Sequence, residues 1–310
     1  MMKHYSVMRD IAIQNLDIKE TGIYVDATLG YAGHSSEILK RIKKGKLFAF
    51  DADGEAISYS HQLLLGIGEN FEIIHSNFMN LKEELEKVKI SQVDGFLFDL
   101  GLSSPEIDDA TRGFSFMHDA ILDMRMDRDA KVDAKYIVNS YSEEELTDIF
   151  YKYGEEPRSR VIAGNIVKSR NNKEITKTLE LVEIIKNSVG ANYFYKKHPE
   201  REIFQAIRIE VNSELKAIEV ALPEAIKMLK KGGRIVVITF HSLEDRIVKN
   251  IFKKYSEENE FFKGMPDKDV PEEYKPLIKL VNRKPILPSD AELKENSRSK
   301  SAKMRVIERI

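Results

Sequence analysis

The chain has 310 residues with 42% hydrophobic and 32% charged side chains, a composition that suits a soluble globular protein of one enlarged domain or two. Its formal net charge of −2 gives no global attraction to nucleic acid, so such a partner has to be met by a local patch. The absence of cysteine excludes disulfides and thiolate metal sites, no apolar run reaches the ~18 residues of a membrane span, and the start of the chain has no signal-peptide core, all of which fits the cytoplasm.

Residues 8–19 carry apolar side chains at Met8, Ile11, Ala12, Leu16 and Ile18, the pattern of a short amphipathic helix. Ile23 to Ala27 reads as a strand and Thr28 to Gly33 as a small-residue turn, with Ser35 and Ser36 as candidate caps of the next helix. A second strand, Lys46 to Phe50, ends in Asp51. Gly30 and Asp51 lie 21 positions apart, near the ~20-residue spacing between a nucleotide loop and its ribose-binding acid. The same residues also suit an ordinary βαβ unit with a surface Asp.

The turn discriminates between cofactors. A dinucleotide loop needs G-x-G-x-x-G to seat a pyrophosphate on a helix N-terminus. Here Asp26 at the strand end would repel phosphate and could accept from an ammonium, which favours S-adenosylmethionine over NAD. A third strand, Phe71 to His75, precedes Phe78, which is placed either to stack on an adenine or to join the core. After the helix Leu81 to Lys89, the fourth strand runs through V-D-G-F-L-F into Asp99 and the turn L-G-L-S-S-P, residues 100–105. A buried strand that delivers a carboxylate into a tight turn makes Asp99 the candidate catalytic residue, because ligands of open α/β sheets sit beyond the carboxyl ends of the strands.

Residues 106–213 show helical periodicity (Tyr141 to Tyr153, Arg158 to Ser169, Thr178 to Ser188) and no clear strand. The expectation is a helical substrate-recognition domain, 106–213, inserted into a cofactor-binding domain made of 1–105 and 214–310. Asp119, Asp123 and Asp127 would share a helix face, but Arg112, Arg125 and Arg128 favour ion pairing over a metal, and no metal is expected. The α/β pattern resumes with a helix over Glu214 to Leu229, a Lys231-Gly232-Gly233 turn and a strand, Arg234 to Phe240. Ser242 beside His241 is better read as a helix cap than as a hydrolase nucleophile, since no G-x-S-x-G elbow exists. Ile278 to Val281 and Met304 to Ile310 read as an antiparallel pair. Between them, Lys294 to Arg309 holds six basic residues against two acidic, interleaved with hydroxyls that suit phosphate contacts. Lys168 and Arg170 add to this positive surface.

Taken in order, D-A-T-L-G-Y-A-G-H-S (26–35), D-L-G-L-S-S-P (99–105), R-G-F-S-F (112–116), D-M-R-M-D (123–127), F-Q-A-I-R-I-E-V-N-S-E-L (204–215), F-H-S-L-E-D-R-I-V-K (240–249), R-K-P-I-L-P-S (283–289) and N-S-R-S-K-S-A-K-M-R (296–305) resemble the bacterial 16S ribosomal RNA cytosine-N4 methyltransferases, RsmH or MraW. The resemblance implies a Rossmann-like class I methyltransferase interrupted by an all-helical subdomain. It implies S-adenosylmethionine as donor and a decoding-centre cytosine within the small ribosomal subunit as acceptor; the oligomeric state stays open between monomer and homodimer. By position, the family's cofactor contacts fall on Ala32, Gly33, His34, Asp51, Phe78, Asp99 and Glu106. The chain departs from the family in having Ala32 for the usual Gly, Glu106 for Gln, Pro157 for the Arg of G-E-E-R, and Glu202 for the Arg of H-P-x-x-R. Two alternatives stay open: a methyltransferase acting on another RNA, DNA or protein, and a non-catalytic ribosome-assembly factor that retains the fold.

Overall fold

A computed structural model of the chain describes residues 6–258 and 260–310. They fall into two compact units, one formed by the chain up to Gly101 together with Leu215–Ile310, the other by Leu102–Glu214.

The first unit opens with α1 (Arg9–Leu16), β1 (Ile23–Asp26), α2 (Gly33–Arg41), β2 (Lys46–Asp51), α3 (Gly54–Leu65), β3 (Phe71–His75), α4 (Leu81–Lys87) and β4 (Val93–Asp99). The helical unit follows with α5 (Ser104–Asp108), α6 (Ala134–Ser140), α7 (Glu143–Lys152), α8 (Ser159–Arg170), α9 (Thr178–Val189), α10 (Ala191–Lys197) and α11 (Pro199–Asn212). The chain then returns through α12 (Glu214–Met228), β5 (Leu229–Thr239), α13 (Ser242–Ser256), β6 (Ile278–Leu280), α14 (Asp290–Glu295) and β7 (Lys303–Arg309).

The seven strands form one sheet in the order β3-β2-β1-β4-β5-β7-β6. β1 to β5 run parallel, β7 is antiparallel to β5, and β6 is antiparallel to β7. The central strands are apolar on consecutive residues (Phe48-Ala49-Phe50, Phe96-Leu97-Phe98, Ile235 to Ile238), and each of these side chains is at most 2% exposed. That is the signature of strands covered on both faces. Strand order reverses between β1 and β4, and an open α/β sheet forms a ligand crevice beyond the strand ends at such a point. One strand starts earlier than the sequence suggests. Leu229 pairs with Val93 and the ladder resumes at Arg234 opposite Gly95, so Lys230 to Gly233 form a bulge, with Gly232 at φ +75°.

The helical unit has its own core, in which Leu122, Met124, Ile137, Leu146, Phe150, Ile162, Leu181, Ile185, Ile203 and Phe204 are buried. The segment before α6 corrects one expectation. Residues 113–133 contain no helix, so Asp119, Asp123 and Asp127 do not share a helix face. Asp119 pairs with Lys177 at 2.9 Å, Asp123 takes both Nε and Nη2 of Arg125 at 2.9 and 2.7 Å, and Asp127 accepts from the Asp129 backbone. The segment is instead pinned from afar. Buried Arg112 donates to the carbonyls of Arg125 and Met126, and Asn212 bonds the Met126 N–H and the Met124 carbonyl. Among the described residues no helix is long and apolar enough to cross a membrane.

Candidate active site

β1, β2 and β4 each deliver an aspartate to the carboxyl edge of the sheet: Asp26, Asp51 and Asp99. Backbone and hydroxyl bonds stitch the turn after β1 to the other two strands. The Gly30 N–H donates to Asp51 Oδ2 at 2.7 Å, the Asp53 N–H to Asp51 Oδ1 at 2.9 Å, and the Asp99 N–H to the Thr28 hydroxyl at 2.7 Å. Ser60 donates its hydroxyl to the Gly30 carbonyl at 2.7 Å.

The three carboxylates do different things. Asp26 is fully buried, and its oxygens accept from the Thr28 N–H at 3.1 Å and the Ser35 hydroxyl at 2.7 Å. It holds the turn from within. Ser35 is thereby spent on Asp26 and does not cap α2. The cap is Ala32, at φ +59° and ψ +27° with no side-chain bond to offer. Burial lifts the Asp26 carboxyl to about 6, against the pull of its Ser35 and Thr28 bonds. Burial lifts Asp51 to about 6 as well, opposed by the Asp53 and Gly30 N–H groups and reinforced by the charges of Asp53 and Asp26. Asp99 is pushed well above the ordinary range by burial and then by the charges of Asp26, Glu244 and Glu292.

Asp99 Oδ2 lies 3.5 Å from Nδ1 of His34, while Asp99 Oδ1 and His34 Nε2 are buried with no hydrogen-bond partner among the described residues. Burial pushes the His34 imidazole down to about 4, outweighing an opposing bond to the Val7 backbone, so the ring is neutral at physiological pH. Gly33 is packed so closely against Ser6 that a Cβ there would clash with its hydroxyl. Phe78 is half-buried, edge-on to Phe98 at 5.8 Å between ring centres.

Beyond β5, Glu244 Oε2 accepts from the N–H groups of Phe240 at 2.7 Å and His241 at 3.2 Å, closing a capping box in which His241 is the N-cap of α13. Ser242 is therefore the first residue of the helix and not its cap. Sequence reasoning missed Thr28 and Glu244. A Ser/Thr-x-x-Glu signature would have exposed the second, but here the cap is a histidine.

Glu106 lies in the helical unit. Its Oε2 accepts from the Ser103 N–H at 2.8 Å and the Ser103 hydroxyl at 2.7 Å, a capping box at the start of α5. The C-terminal basic run is partly committed: Arg305 forms a two-bond pair with Asp245, Lys303 lies 3.7 Å from the same carboxylate, and Arg309 donates to the Leu277 carbonyl. In the helical unit Arg170 donates to the Val138 carbonyl, and Lys168 is exposed.

What the crevice can hold follows from its charge. Among the described residues no lysine or arginine pairs with Asp26, Asp51 or Asp99. A pyrophosphate would be repelled there, whereas a ligand that carries positive charge and ribose hydroxyls meets acceptors. S-adenosylmethionine, with its sulfonium, ammonium and ribose, fits those acceptors.

A model of the MraW methylase family matches residues 1–310. The chain belongs to the MraW methylase family. It is an S-adenosylmethionine-dependent 16S rRNA cytosine-N4 methyltransferase by that membership, and the Rossmann-like sheet with its helical insertion is the expected fold. Solved structures similar to this MraW-family chain include an rRNA methylase from Streptococcus thermophilus, at 14% identity and TM-score 0.41 over 97% of this chain and 93% of that one. A SAM-dependent O-methyltransferase from Thermotoga maritima matches at 10% identity and TM-score 0.41, over 97% and 64% of the two chains. TrmN from Thermus thermophilus matches at 9% identity and TM-score 0.42, over 98% and 48%. Likenesses of this degree add nothing to the assignment, which rests on the family match.

Proposed function

We propose that this MraW-family chain acts on its cytosine within the assembled small ribosomal subunit, at the decoding centre, and that Asp51 and Asp99 are the working carboxylates of its crevice. The observation that carries the reading is the half-buried Asp99 carboxylate at the β1/β4 switch, whose buried Oδ1 has no hydrogen-bond partner and beside which no lysine or arginine stands among the described residues. In this reading Asp51, already fixed by the Gly30 and Asp53 N–H groups, accepts from the donor's ribose hydroxyls, and Phe78 lies against its adenine. The turn at Ala32, Gly33 and His34 supplies close backbone approach. Glu106 is assigned to the same ligand by its place in the D-L-G-L-S-S-P-E sequence, and the helical unit is assigned to rRNA recognition.

The bound donor supplies a methyl group on a positively charged sulfur. The chain's task is the acceptor. The lone pair of the cytosine N4 is conjugated into the ring, so it is a poor nucleophile until the amino group is oriented, and the base has to leave any stack to be reached. A carboxylate at Asp99 accepts an N4–H bond, which favours the lone pair at nitrogen and provides a place for the proton that leaves as the N–C bond forms. The neutral His34 ring lies 3.5 Å from Oδ2 and adds no charge beside that carboxylate.

The acceptor is tested with labelled donor, comparing assembled small subunits lacking the modification, naked 16S rRNA and DNA. Label entering small subunits in preference to the other two is expected. Equal or greater incorporation into naked rRNA or DNA would overturn the assembled-subunit reading.

A further inference from the structure

The corner of the helical unit between α9 and α10 is built unlike the rest of its surface. Gly190 joins the two helices at φ +76° and ψ 153°, and the space where its Cβ would point is open. A cleft of about 440 Å³ lies there, lined by Arg158, Gly190, Asn192, Tyr193, Lys196 and Lys197.

Its floor is pre-organised. The Arg158 guanidinium stacks on the Tyr193 ring at 3.9 Å and donates to the Val189 carbonyl at 2.8 Å, which satisfies an orphan acceptor at the end of α9. Buried Glu156 holds both from beneath, accepting from the Tyr193 hydroxyl at 2.8 Å and the Arg158 N–H at 2.7 Å. At the rim Lys196 and Lys197 are exposed and have no carboxylate partner among the described residues. Beside them Tyr195 is 62% exposed, with the Lys186 ammonium 5.4 Å from its ring centre and buried Phe194 packed edge-on against it. This largely exposed aromatic side chain, with Lys186 against its hydroxyl and ring and Lys196 and Lys197 beside it, adds little to the unit's core.

We propose that this corner, Arg158 with Lys186 to Lys197, is a docking site for a single-stranded RNA segment. Lys196, Lys197 and Arg158 meet backbone phosphates, and Tyr195 offers its ring to an unstacked base. Aromatic faces interleaved with lysines are the means by which proteins bind single strands, and the stacking term is indifferent to base identity. An acidic protein surface would satisfy the lysines but gives no reason for the exposed ring. The inference rests on the rRNA substrate of the family and adds where on this chain that RNA is held.

The test uses the full chain, a single-stranded RNA oligonucleotide and small ribosomal subunits, with donor binding followed separately by calorimetry. The double variant Lys196→Glu/Lys197→Glu is expected to weaken RNA binding roughly tenfold or more and to flatten the log–log salt dependence by about 1.4, from ~0.7 for each of two phosphates. Tyr195→Ala is expected to weaken binding roughly tenfold, and Tyr195→Phe to leave it near wild type, because the ring face and not the hydroxyl is used. Donor affinity and melting temperature stay unchanged in all three, since every altered side chain is exposed. An unchanged RNA affinity and salt slope in the lysine variant, with wild type binding and methylating normally, overturns the proposal and leaves the rRNA reading standing. Loss with the lysines but none with Tyr195→Ala, and competition by polyglutamate equal to that by RNA, overturns it in favour of an acidic protein partner. A wild-type chain that neither binds nor methylates RNA overturns the rRNA reading itself, and this inference falls with it.

Discussion

The Gly30 backbone N–H donates to Oδ2 of Asp51 over 2.7 Å, so the turn after β1 and the end of β2 form one hydrogen-bonded piece. The 21-residue spacing of these two residues does more than place an acid near a ribose. The same carboxylate that is offered to a ligand holds the loop that the ligand approaches.

Asp51→Ala is therefore expected to act twice. It removes the acceptor proposed for the ribose, and it leaves the Gly30 and Asp53 N–H groups without their partner. Unmet backbone donors cost about 1–3 kcal/mol each when buried, so unfolding by denaturant should show a loss of that order. Donor affinity by calorimetry should fall at least tenfold. Asp51→Asn can satisfy only one of the two N–H groups and should lie between wild type and Ala in stability. An Ala variant with wild-type stability would contradict the dual role.

The three carboxylates also set a pH dependence. Asp26 and Asp51 titrate near 6 in the folded chain and Asp99 well above the ordinary range, against about 4 in an unfolded chain. A carboxyl raised by folding makes the folded state the better proton binder between those values. This contribution to stability is therefore fully present below about pH 4; for Asp26 and Asp51 it is lost as pH rises through about 6, and for Asp99 it is lost as pH rises through its own raised value. A positively charged donor reverses the term by favouring the ionised acids. The melting-temperature gain on adding S-adenosylmethionine should be larger at pH 7.5 than at pH 5.5, and binding near pH 6 should release protons, visible by calorimetry in buffers of different ionisation enthalpy. A gain that is larger at the lower pH would contradict the assignment of a cation to this crevice.

Ala32 carries backbone strain that the family's glycine avoids. Its φ of +59° lies in the left-handed region, which costs an L-residue roughly 1–2 kcal/mol. Glycine adopts it freely but loses more chain entropy on folding, about 0.5–1 kcal/mol. Ala32→Gly should stabilise the chain by roughly 0.5–1 kcal/mol in denaturant melts, the difference of those terms. A destabilised glycine variant would mean that the buried methyl outweighs the strain.

Glu106 departs from the family without losing the local structure that its position supports. Its carboxylate closes a capping box on Ser103, and Gln can serve in such a box as Glu does. Glu106→Gln should change stability by less than about 0.5 kcal/mol, while Glu106→Ala should cost about 1 kcal/mol, both read from thermal melts.

The elements legible in the sequence are those whose signal is local. Phe96-Leu97-Phe98 announces a strand buried on both faces, and the spacing of Leu146, Ile149 and Phe150 announces α7. What escaped was set by partners far along the chain. Residues 113–133 take their shape from Arg112 and from Asn212, more than 80 positions away, so no period within the segment reveals it. The caps of α2 and α13 are Ala32 and His241, residue types absent from the usual cap list, and the serines nearby drew the assignment to themselves. Asp26 shows the same limit in the site: its strand-end position is plain in the sequence, but its commitment to Ser35 depends on how the turn folds back. The four glutamates at Glu155, Glu156, Glu200 and Glu202 are another case. Burial raises the Glu202 carboxyl first, and the charges of Glu156 and Glu155 raise it further.

The proposed transfer centres on Asp99 and on the N4 atom of one cytosine. Small subunits from cells lacking this gene are incubated with donor and either wild-type protein or Asp99→Ala, and the RNA is digested for mass spectrometry of its nucleosides. Wild type should add one methyl at cytosine N4, and Asp99→Ala should add none while still melting as a folded, cooperative chain. A methyl found on another atom, or near-normal N4 methylation by the Asp99→Ala chain, would contradict it.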